Sequence, residues 1–337
     1  MAITMKDIAE ICNVSIATVS KIVNGKDMDI GAETRRRVSQ VIEEKGYYIN
    51  TLAQSMKTKN TKTLGLIIPD VKNAYYTDIS RGAEDMAQKM GYSLFLCNTD
   101  DQIDKEITYI TKLMEKQVDG IIIIASLQRD KEREQALHIK VPFAVLNNST
   151  SYRDSSVCVE VDNYGGMYQG VKHLIGLGHR NIMYLAGDTD QKFSQERLAG
   201  FVDALEEHGI AYRPSMVKKC IFRVEGTYDY LTKHGISEGV TAIACGNDLM
   251  ALGVLNWAKE NGLKVPEQLS ITGFDDTIFS VISSPKITTI NQNCHRVGEI
   301  LVEELLKKIE YGEDLRTTVS MDTRLVIRES TGGPQAV

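Results

Sequence analysis

One tryptophan and six prolines stand among 337 residues, and no apolar run approaches the ~18 residues that a membrane span requires. No charged-then-apolar leader opens the chain, so the expected compartment is the cytoplasm, with no membrane partner. The six cysteines (Cys12, Cys97, Cys158, Cys220, Cys245 and Cys294) are far apart and form no C-x-x-C pair, which argues against a zinc site or a small disulfide framework. Signatures of enzymes are scarce too: there is no G-x-G-x-x-G after the first apolar strand, no G-x-x-x-x-G-K-[ST] and no H-E-x-x-H. The six histidines (His138, His173, His179, His208, His234 and His295) lie at no metal-like spacing. No catalytic residue, cofactor or metal is therefore expected.

What is present is an ordinary globular composition, 42% hydrophobic and 25% charged, with apolar material for two or three packed units. The net charge of −6 is unevenly spread. Residues 1 to 60 hold nine Lys and Arg against seven Asp and Glu, or +2, which leaves −8 for the remainder. A basic end on an acidic body suggests a polyanionic partner for that end alone.

The segment "SIATVSKIVNG", residues 15–25, decides the character of that end. Ile16, Val19, Ile22 and Val23 follow helical spacing behind Ser15 as N-cap, whereas a strand would leave an inconsistent alternation. Upstream, Thr4 caps a helix with Ile8, Ala9, Ile11 and Cys12 on one face, and Asn13 offers its exit. Downstream, Val38, Val41 and Ile42 mark a third helix that stops at Gly46. The small and hydroxyl side chains of the second helix let its backbone approach a phosphate-lined groove, with Lys21 and the Arg35 to Arg37 cluster nearby.

"DIAEICNVSIATVSKIVNG" resembles the DNA-reading signature of the LacI/GalR family of bacterial transcription regulators. The resemblance implies that Thr4, Ser15, Thr18, Ser20 and Asn24 hold the sugar-phosphate backbone of double-stranded DNA, while Ile16, Ala17 and Lys21 face base edges. Ile16 and Ala17 offer only apolar contact, so hydrogen-bonded readout at this helix depends chiefly on Lys21. In the family the following segment, here "YYINTLAQSMKTKNTKT", becomes a short hinge helix on the operator, and a leucine enters the minor groove. Met56 takes the leucine's place, with Asn50 and Ala53 alongside, and a methionine has the volume and flexibility for a wedge. Ile49 stands where a proline is usual and Gln54 where a basic residue is common, two departures that bear on the stiffness and grip of the hinge.

From residue 63 apolar strands alternate with helices. "TLGLIIPD", "YSLFLCN", "GIIIIAS" and "PFAVLNN" read as buried parallel strands, with helices near 77–90, 102–117 and 130–138. The pattern restarts with "NIMYLAG", "MVKKCIF", "TAIACGN" and "LSITGFD". Two such blocks imply two doubly wound sheets with a ligand cleft beyond the carboxyl ends of their strands. This part resembles the periplasmic-binding-protein-like core of the same family, in which the chain crosses between lobes three times. A late strand near "ITTINQN" and a helix from Cys294 to Tyr311 should then return to the first lobe.

The expected architecture is an all-α helix-turn-helix DNA-binding domain at 1–48, a hinge at 49–62, and an α/β core at 63–330 with two doubly wound parallel-sheet subdomains. The first subdomain takes about 63–161 and 291–320, and the second about 162–290 and 321–330.

By the same resemblance, "ERLAGFVDAL", "GNDLMALGVL" and "GFDDT" carry a polar effector clamp of Arg197, Asn247 and Asp275, with Asn147 and Gln292 completing the rim. Guanidinium, amide and carboxylate together donate to and accept from neighbouring hydroxyls, as a sugar requires. Tyr75, Tyr76, Phe193 and Phe222 sit at matching strand ends and could stack on a flat face. A nucleobase fits such walls as well, but purine-sensing relatives carry an arginine where Gln191 stands, which favours a sugar. A phosphorylated carrier protein as corepressor remains the alternative, because "IIPDVKNAYYTDISRGAEDMAQKMGY" and "EKQVDGIII" resemble relatives regulated in that way. The expected assembly is a homodimer on a near-palindromic operator, since "STGGPQAV" lacks the apolar heptads that make tetramers.

Overall fold

The computed structural model describes residues 3–48, 60–127, 130–147, 157–187, 191–312 and 317–334. The chain forms two compact units, Met1–Thr61 and Lys62–Val337.

The first unit holds α1 (Met5–Ile11), α2 (Ile16–Val23) and α3 (Ala32–Glu44). Local chemistry sets each boundary. Thr4 and Asp7 form a reciprocal capping box, and the Ser15 hydroxyl accepts from the Thr18 amide at 3.0 Å. Asn13 takes a left-handed backbone (φ 47°) between α1 and α2, and Gly46 does the same (φ 59°) beyond α3. Ile8, Ala9, Cys12, Val19 and Val38 make the core. Ile11 does not join them: as the last residue of α1 it is 53% exposed. Ile16, in the first turn of α2, likewise faces solvent.

In the second unit the chain runs β1 (Thr63–Ile68), α4 (Ala74–Lys89), β2 (Ser93–Asn98), α5 (Ile103–Glu115), β3 (Gly120–Ile123), α6 (Lys131–Ala136), β4 (Phe143–Leu146) and β5 (Val157–Val161). It continues through α7 (Asn163–Gly176), β6 (Ile182–Gly187), α8 (Lys192–Glu207), β7 (Val217–Cys220), α9 (Val224–His234), β8 (Ala242–Cys245), α10 (Asp248–Glu260), β9 (Ser270–Thr272) and α11 (Ile278–Ile282). The last elements are β10 (Thr289–Asn291), α12 (Cys294–Tyr311), β11 (Thr317–Met321) and β12 (Arg324–Val326).

Strands pair in parallel into two sheets, ordered β11-β5-β4-β3-β1-β2 and β7-β6-β8-β9. Helices cover both faces of each, which is why most strands read as continuous apolar runs. The exception is β2, expected to be buried: Phe95 and Leu96 are each 48% exposed, because β2 ends its sheet. After β5 the chain leaves the first lobe. It returns through β10 into α12, which packs in the first core, and β11 extends the first sheet. β12 then pairs antiparallel with β10. The Asp162 amide donates to the Met321 carbonyl at 2.9 Å, so two of these crossings are stitched to each other.

Strand order reverses between β1 and β3 in one sheet and between β6 and β8 in the other, and both reversals lie at strand carboxyl ends, where doubly wound sheets bind ligands. Helices α4 and α12 brace the first sheet at very close range. A Cβ on Gly82 would lie 1.9 Å from the His295 carbonyl oxygen, and one on Gly298 2.0 Å from that of Ile79. Neither backbone can yield as a side chain could. Gly298→Ala should therefore lower the unfolding free energy of this unit by about 1–3 kcal/mol, seen as a lower midpoint in urea titration. Gly176→Ala, at a helix end with nothing within 4 Å, should leave the midpoint unchanged or slightly raised. Equal midpoints for the two variants would refute the close-crossing account.

Candidate functional site

A cavity of about 60 Å³ lies between the two lobes, and its lining comes from the carboxyl ends of strands in both sheets. Beyond β1 stand Asn73, Tyr75 and Tyr76; beyond β4, Asn147; beyond β6, Phe193 and Arg197; beyond β7, β8 and β9, Phe222, Asn247 and Asp275. Eight of the nine residues singled out in the sequence thus line one space. Gln292 stands behind it, fully buried, and donates to the Asp275 carboxylate at 2.5 Å.

Each polar group is oriented by a structural task. Asn247 is the N-cap of α10 and accepts from the Met250 amide at 2.9 Å, which directs its amide nitrogen away from that helix. Asn147 adopts a left-handed backbone (φ 58°) that asparagine tolerates, and its side-chain oxygen accepts from the Val161 amide. Asn73 caps α4 by accepting from the Tyr75 amide. Sequence reasoning missed Asn73, although an Asn just ahead of an apolar-periodic helix is a readable cap. It also missed the apolar floor of Ile124, Ala125, Leu127 and Leu146, whose strand-end positions only the sheet order reveals.

Arg197 is 4% exposed. Its guanidinium lies 3.7 Å from the Phe274 ring centroid and 5.3 Å from that of Phe193, and it donates to the Gly246 carbonyl (2.5 Å) and to Asn163 (2.9 Å). Phe222 rests on glycine: a Cβ at Gly187 would lie 1.9 Å from its ring. The Phe193 and Phe222 rings stand 5.9 Å apart, and the Tyr75 and Tyr76 rings meet edge to face at 5.2 Å. Burial holds both tyrosine hydroxyls far above their ordinary pKa, so they remain neutral donors. Burial likewise pushes the Asp275 carboxyl well above the usual carboxylate range, against the opposing pull of Arg197. Asp275 (φ 117°) and Asp276 (φ 57°) share a strained turn that sends the first carboxylate to Gln292 and the second to Asn291 and Arg328.

Polar bridges cross between the lobes at the cleft. Gln191 donates to the carbonyls of Ser126 and Leu127 at 3.0 and 3.1 Å, Lys192 pairs with Glu160 at 2.8 Å, and Arg223 pairs with Asp70 at 3.2 Å. The amide at position 191 is thereby engaged with backbone rather than presented to the cavity.

In the first unit, Ser15, Ile16, Ala17, Lys21 and Asn24 are exposed, whereas Thr18 and Ser20 are half-buried. Thr4 and Ser15 serve as helix caps, and Asn24 donates to the Ser20 carbonyl at 2.6 Å. Arg35 turns inward, pairing with Asp27 at 2.7 Å and donating to the Asp27 and Ile30 carbonyls, so it braces the loop before α3. Asn50, Ala53 and Met56, with Ile49 and Gln54, lie outside the described residues. No described helix is long and apolar enough to cross a membrane, and no group of three or more His, Cys, Asp or Glu among the described residues could hold a metal ion.

Residues 4–50 match the bacterial regulatory proteins of the lacI family, and residues 171–331 match a periplasmic binding protein-like domain. The HTH-type transcriptional repressor PurR of Pasteurella multocida (strain Pm70) is 33% identical over 329 residues, which cover 97% of this chain and 98% of that protein. The lac repressor dimer bound to operator and the anti-inducer ONPF superposes with a TM-score of 0.84 at 26% identity, covering 98% of this chain and 100% of the other. The complex of the transcriptional regulator CelR with cellobiose gives 0.72 at 26% identity, covering 97% and 99%.

Next to the cavity, Asp248 is fully buried and accepts from the Thr277 amide and from the hydroxyls of Thr277 and Thr289. Burial outweighs these bonds and raises its carboxyl to about 7. A carboxyl raised on folding contributes stability below its unfolded value of 3.8, and that contribution is lost as pH climbs to about 7. Asp248→Asn cannot ionise. Its stability relative to the native protein should improve steadily between pH 4 and 8 in parallel melting curves, and a difference independent of pH would show that Asp248 ionises normally.

Proposed function

We propose that this chain, which belongs to the LacI family of bacterial DNA-binding transcription regulators and is not an enzyme, represses carbohydrate-related genes under the control of a sugar or sugar derivative bound between its lobes. In this reading residues 1–48 contact the operator, 49–62 form the hinge with Met56 as minor-groove wedge, and 63–330 bind effector and partner subunit. The working form is a homodimer on a near-palindromic operator, as two half-sites need two reading helices.

The observation that carries the effector class is the presence of both Arg197 and Asp275 in the lining of a cavity walled by Phe193, Phe222 and two tyrosines. A ring flanked by aromatic faces and edged by hydroxyls satisfies a guanidinium, amide nitrogens and a carboxylate at once. Engagement of Gln191 with backbone carbonyls leaves that position without a charge for a base. A sugar-bound relative, CelR with cellobiose, supports the same class.

The allosteric step follows from size. Ligand pockets enclose roughly 300–1,000 Å³, several times the 60 Å³ present between these lobes. Admitting a ligand requires the lobes to part, which loosens the bridges from Arg223, Lys192 and Gln191, and re-closing about the ligand sets a new lobe angle. That angle fixes the spacing of the two hinge segments, so ligand and operator bias one equilibrium.

The test is thermal denaturation of the full-length protein against sugars, sugar phosphates and nucleobases, followed by operator titration with any compound that raises the melting temperature. A shift confined to one sugar class, abolished in Arg197→Ala while operator affinity is kept, is the expected result. Stabilisation by nucleobases alone would overturn the effector class. No shift from any compound, in protein that still binds operator, would move control to a protein corepressor.

A further inference from the structure

Three polar bridges join the lobes beside the cavity, and they differ in kind. Arg223 with Asp70 and Lys192 with Glu160 are ion pairs whose cations are about half-exposed, at 52% and 46%. Such pairs gain little over hydration and are screened by salt. Gln191 is only 6% exposed, and its Nε2 donates to two successive carbonyls of the other lobe, those of Ser126 and Leu127. Both carbonyls are held in place from behind. The Ser126 amide donates to the fully buried Glu106 carboxylate at 2.8 Å, the Leu127 amide donates to Asp101 at 2.6 Å, and the hydroxyls of Ser126 and Thr99 meet at 3.2 Å. The segment after β3 is thus tied into its own lobe by its amides and offers its carbonyls across the cleft. On the other side, Gln191 is the N-cap residue of α8, yet its side chain makes no bond to that helix's amides.

We propose that Gln191 is the clasp of the cleft, the bridge that resists parting of the lobes and so sets how readily an effector is admitted. The inference rests on effector binding between the lobes, and it assigns the regulation of that site to one residue of the three. Leu127 and Phe193 both line the cavity, so the clasp spans its rim. The rim cannot widen there while Gln191 stays bonded to the Leu127 carbonyl at 3.1 Å. Once the lobes part, water replaces both partners. In the narrow form a shorter side chain would take this donor from two carbonyls in a buried setting, so truncation costs that form and spares the open one. A ligand that needs the open form binds more weakly in proportion to that form's rarity, and the clasp keeps it rare.

The first arm of the test uses no ligand. Hydrogen exchange of the full-length protein, read by mass spectrometry, reports opening at residues 124–127 and 191–197, the two sides of the clasp. Gln191→Glu keeps the side-chain length but sets a carboxylate against two carbonyls. Exchange in both segments should rise roughly tenfold over the native protein at about pH 8, the change expected when two buried neutral hydrogen bonds are lost. At about pH 5 the excess should shrink, because a protonated glutamate regains one donor. Arg223→Gln and Lys192→Gln should change exchange by no more than about twofold. In every variant β1 and β6 should exchange as in the native protein, which separates an opened cleft from a loosened lobe.

The second arm compares the melting of native protein and Gln191→Ala with cellobiose, ribose, glucose 6-phosphate and hypoxanthine as probes. A probe that stabilises the native protein should bind Gln191→Ala roughly tenfold more tightly. Equal or weaker binding would overturn the proposal, and native exchange in Gln191→Glu or an equal rise in Arg223→Gln would do the same. Raised exchange in Gln191→Glu, with none of the four probes stabilising either protein, would uphold the clasp while counting against the sugar reading. Native exchange in Gln191→Glu, with a sugar that still stabilises the protein, would overturn the clasp alone.

Discussion

A buried guanidinium organises the effector-side unit. Arg197 sits almost wholly out of water, and a charge there survives only if its surroundings replace the lost solvent. They do so from separate parts of the chain: the Phe274 ring beneath it, the Gly246 carbonyl after β8, and Asn163 at the start of α7. Those partners lie on elements that must be assembled before Arg197 can be satisfied. The side chain that faces the cavity thus also draws on several parts of the second lobe, and Phe193 in the cavity wall lies beside the same guanidinium. Phe222 can lie flat at the strand ends only because Gly187 and Gly246 carry no side chains there.

From this point a polar network runs toward the crossings between lobes. Asn247 lines the cavity, and its neighbour Asp248 collects Thr277 and Thr289. Thr289 begins β10, whose Asn291 donates to Asp276 at 2.7 Å, and Asp276 pairs with Arg328 just beyond β12. β10 and β12 pair with each other at the crossings between the lobes. Directional bonds thus join the cavity-lining side of this lobe to the crossings, the route that the proposed effector would use. Hydrogen bonds in such a network have few alternative partners, so it moves between discrete arrangements.

Much of this was legible in the sequence where chemistry is local. Caps at Thr4 and Ser15 follow from side chains acting on nearby backbone, and the stop at Gly46 from a residue with no side chain to hinder a left-handed turn. Parallel strands with both faces covered announced themselves as apolar runs. What stayed hidden depends on distant neighbours. β5 contains Glu160 and reads as a weak strand, yet it is held between β4 and β11. β11, Thr317–Met321, is polar because it closes the sheet at its other edge. β2 shows the converse, an apolar strand taken for buried that lies at the edge with Phe95 in solvent. The engagement of Gln191 with Ser126 and Leu127, more than sixty residues away, has no local signature at all.

The two units divide their physics accordingly. In the first, the core is five small or medium side chains, and order comes from caps, a left-handed Asn13 and the Arg35 brace. Such a unit is stabilised mainly by local bonds and offers a face of short side chains, which suits close approach to a groove whose own contribution is large and electrostatic. In the second, order comes from long-range burial, and polar bridges cross between the lobes beside the cavity. Polar bridges exchange with water at little net cost, whereas the apolar cores on either side do not. That division fits the proposed change of lobe angle with each lobe still folded, for which a few kcal/mol of differential affinity would suffice.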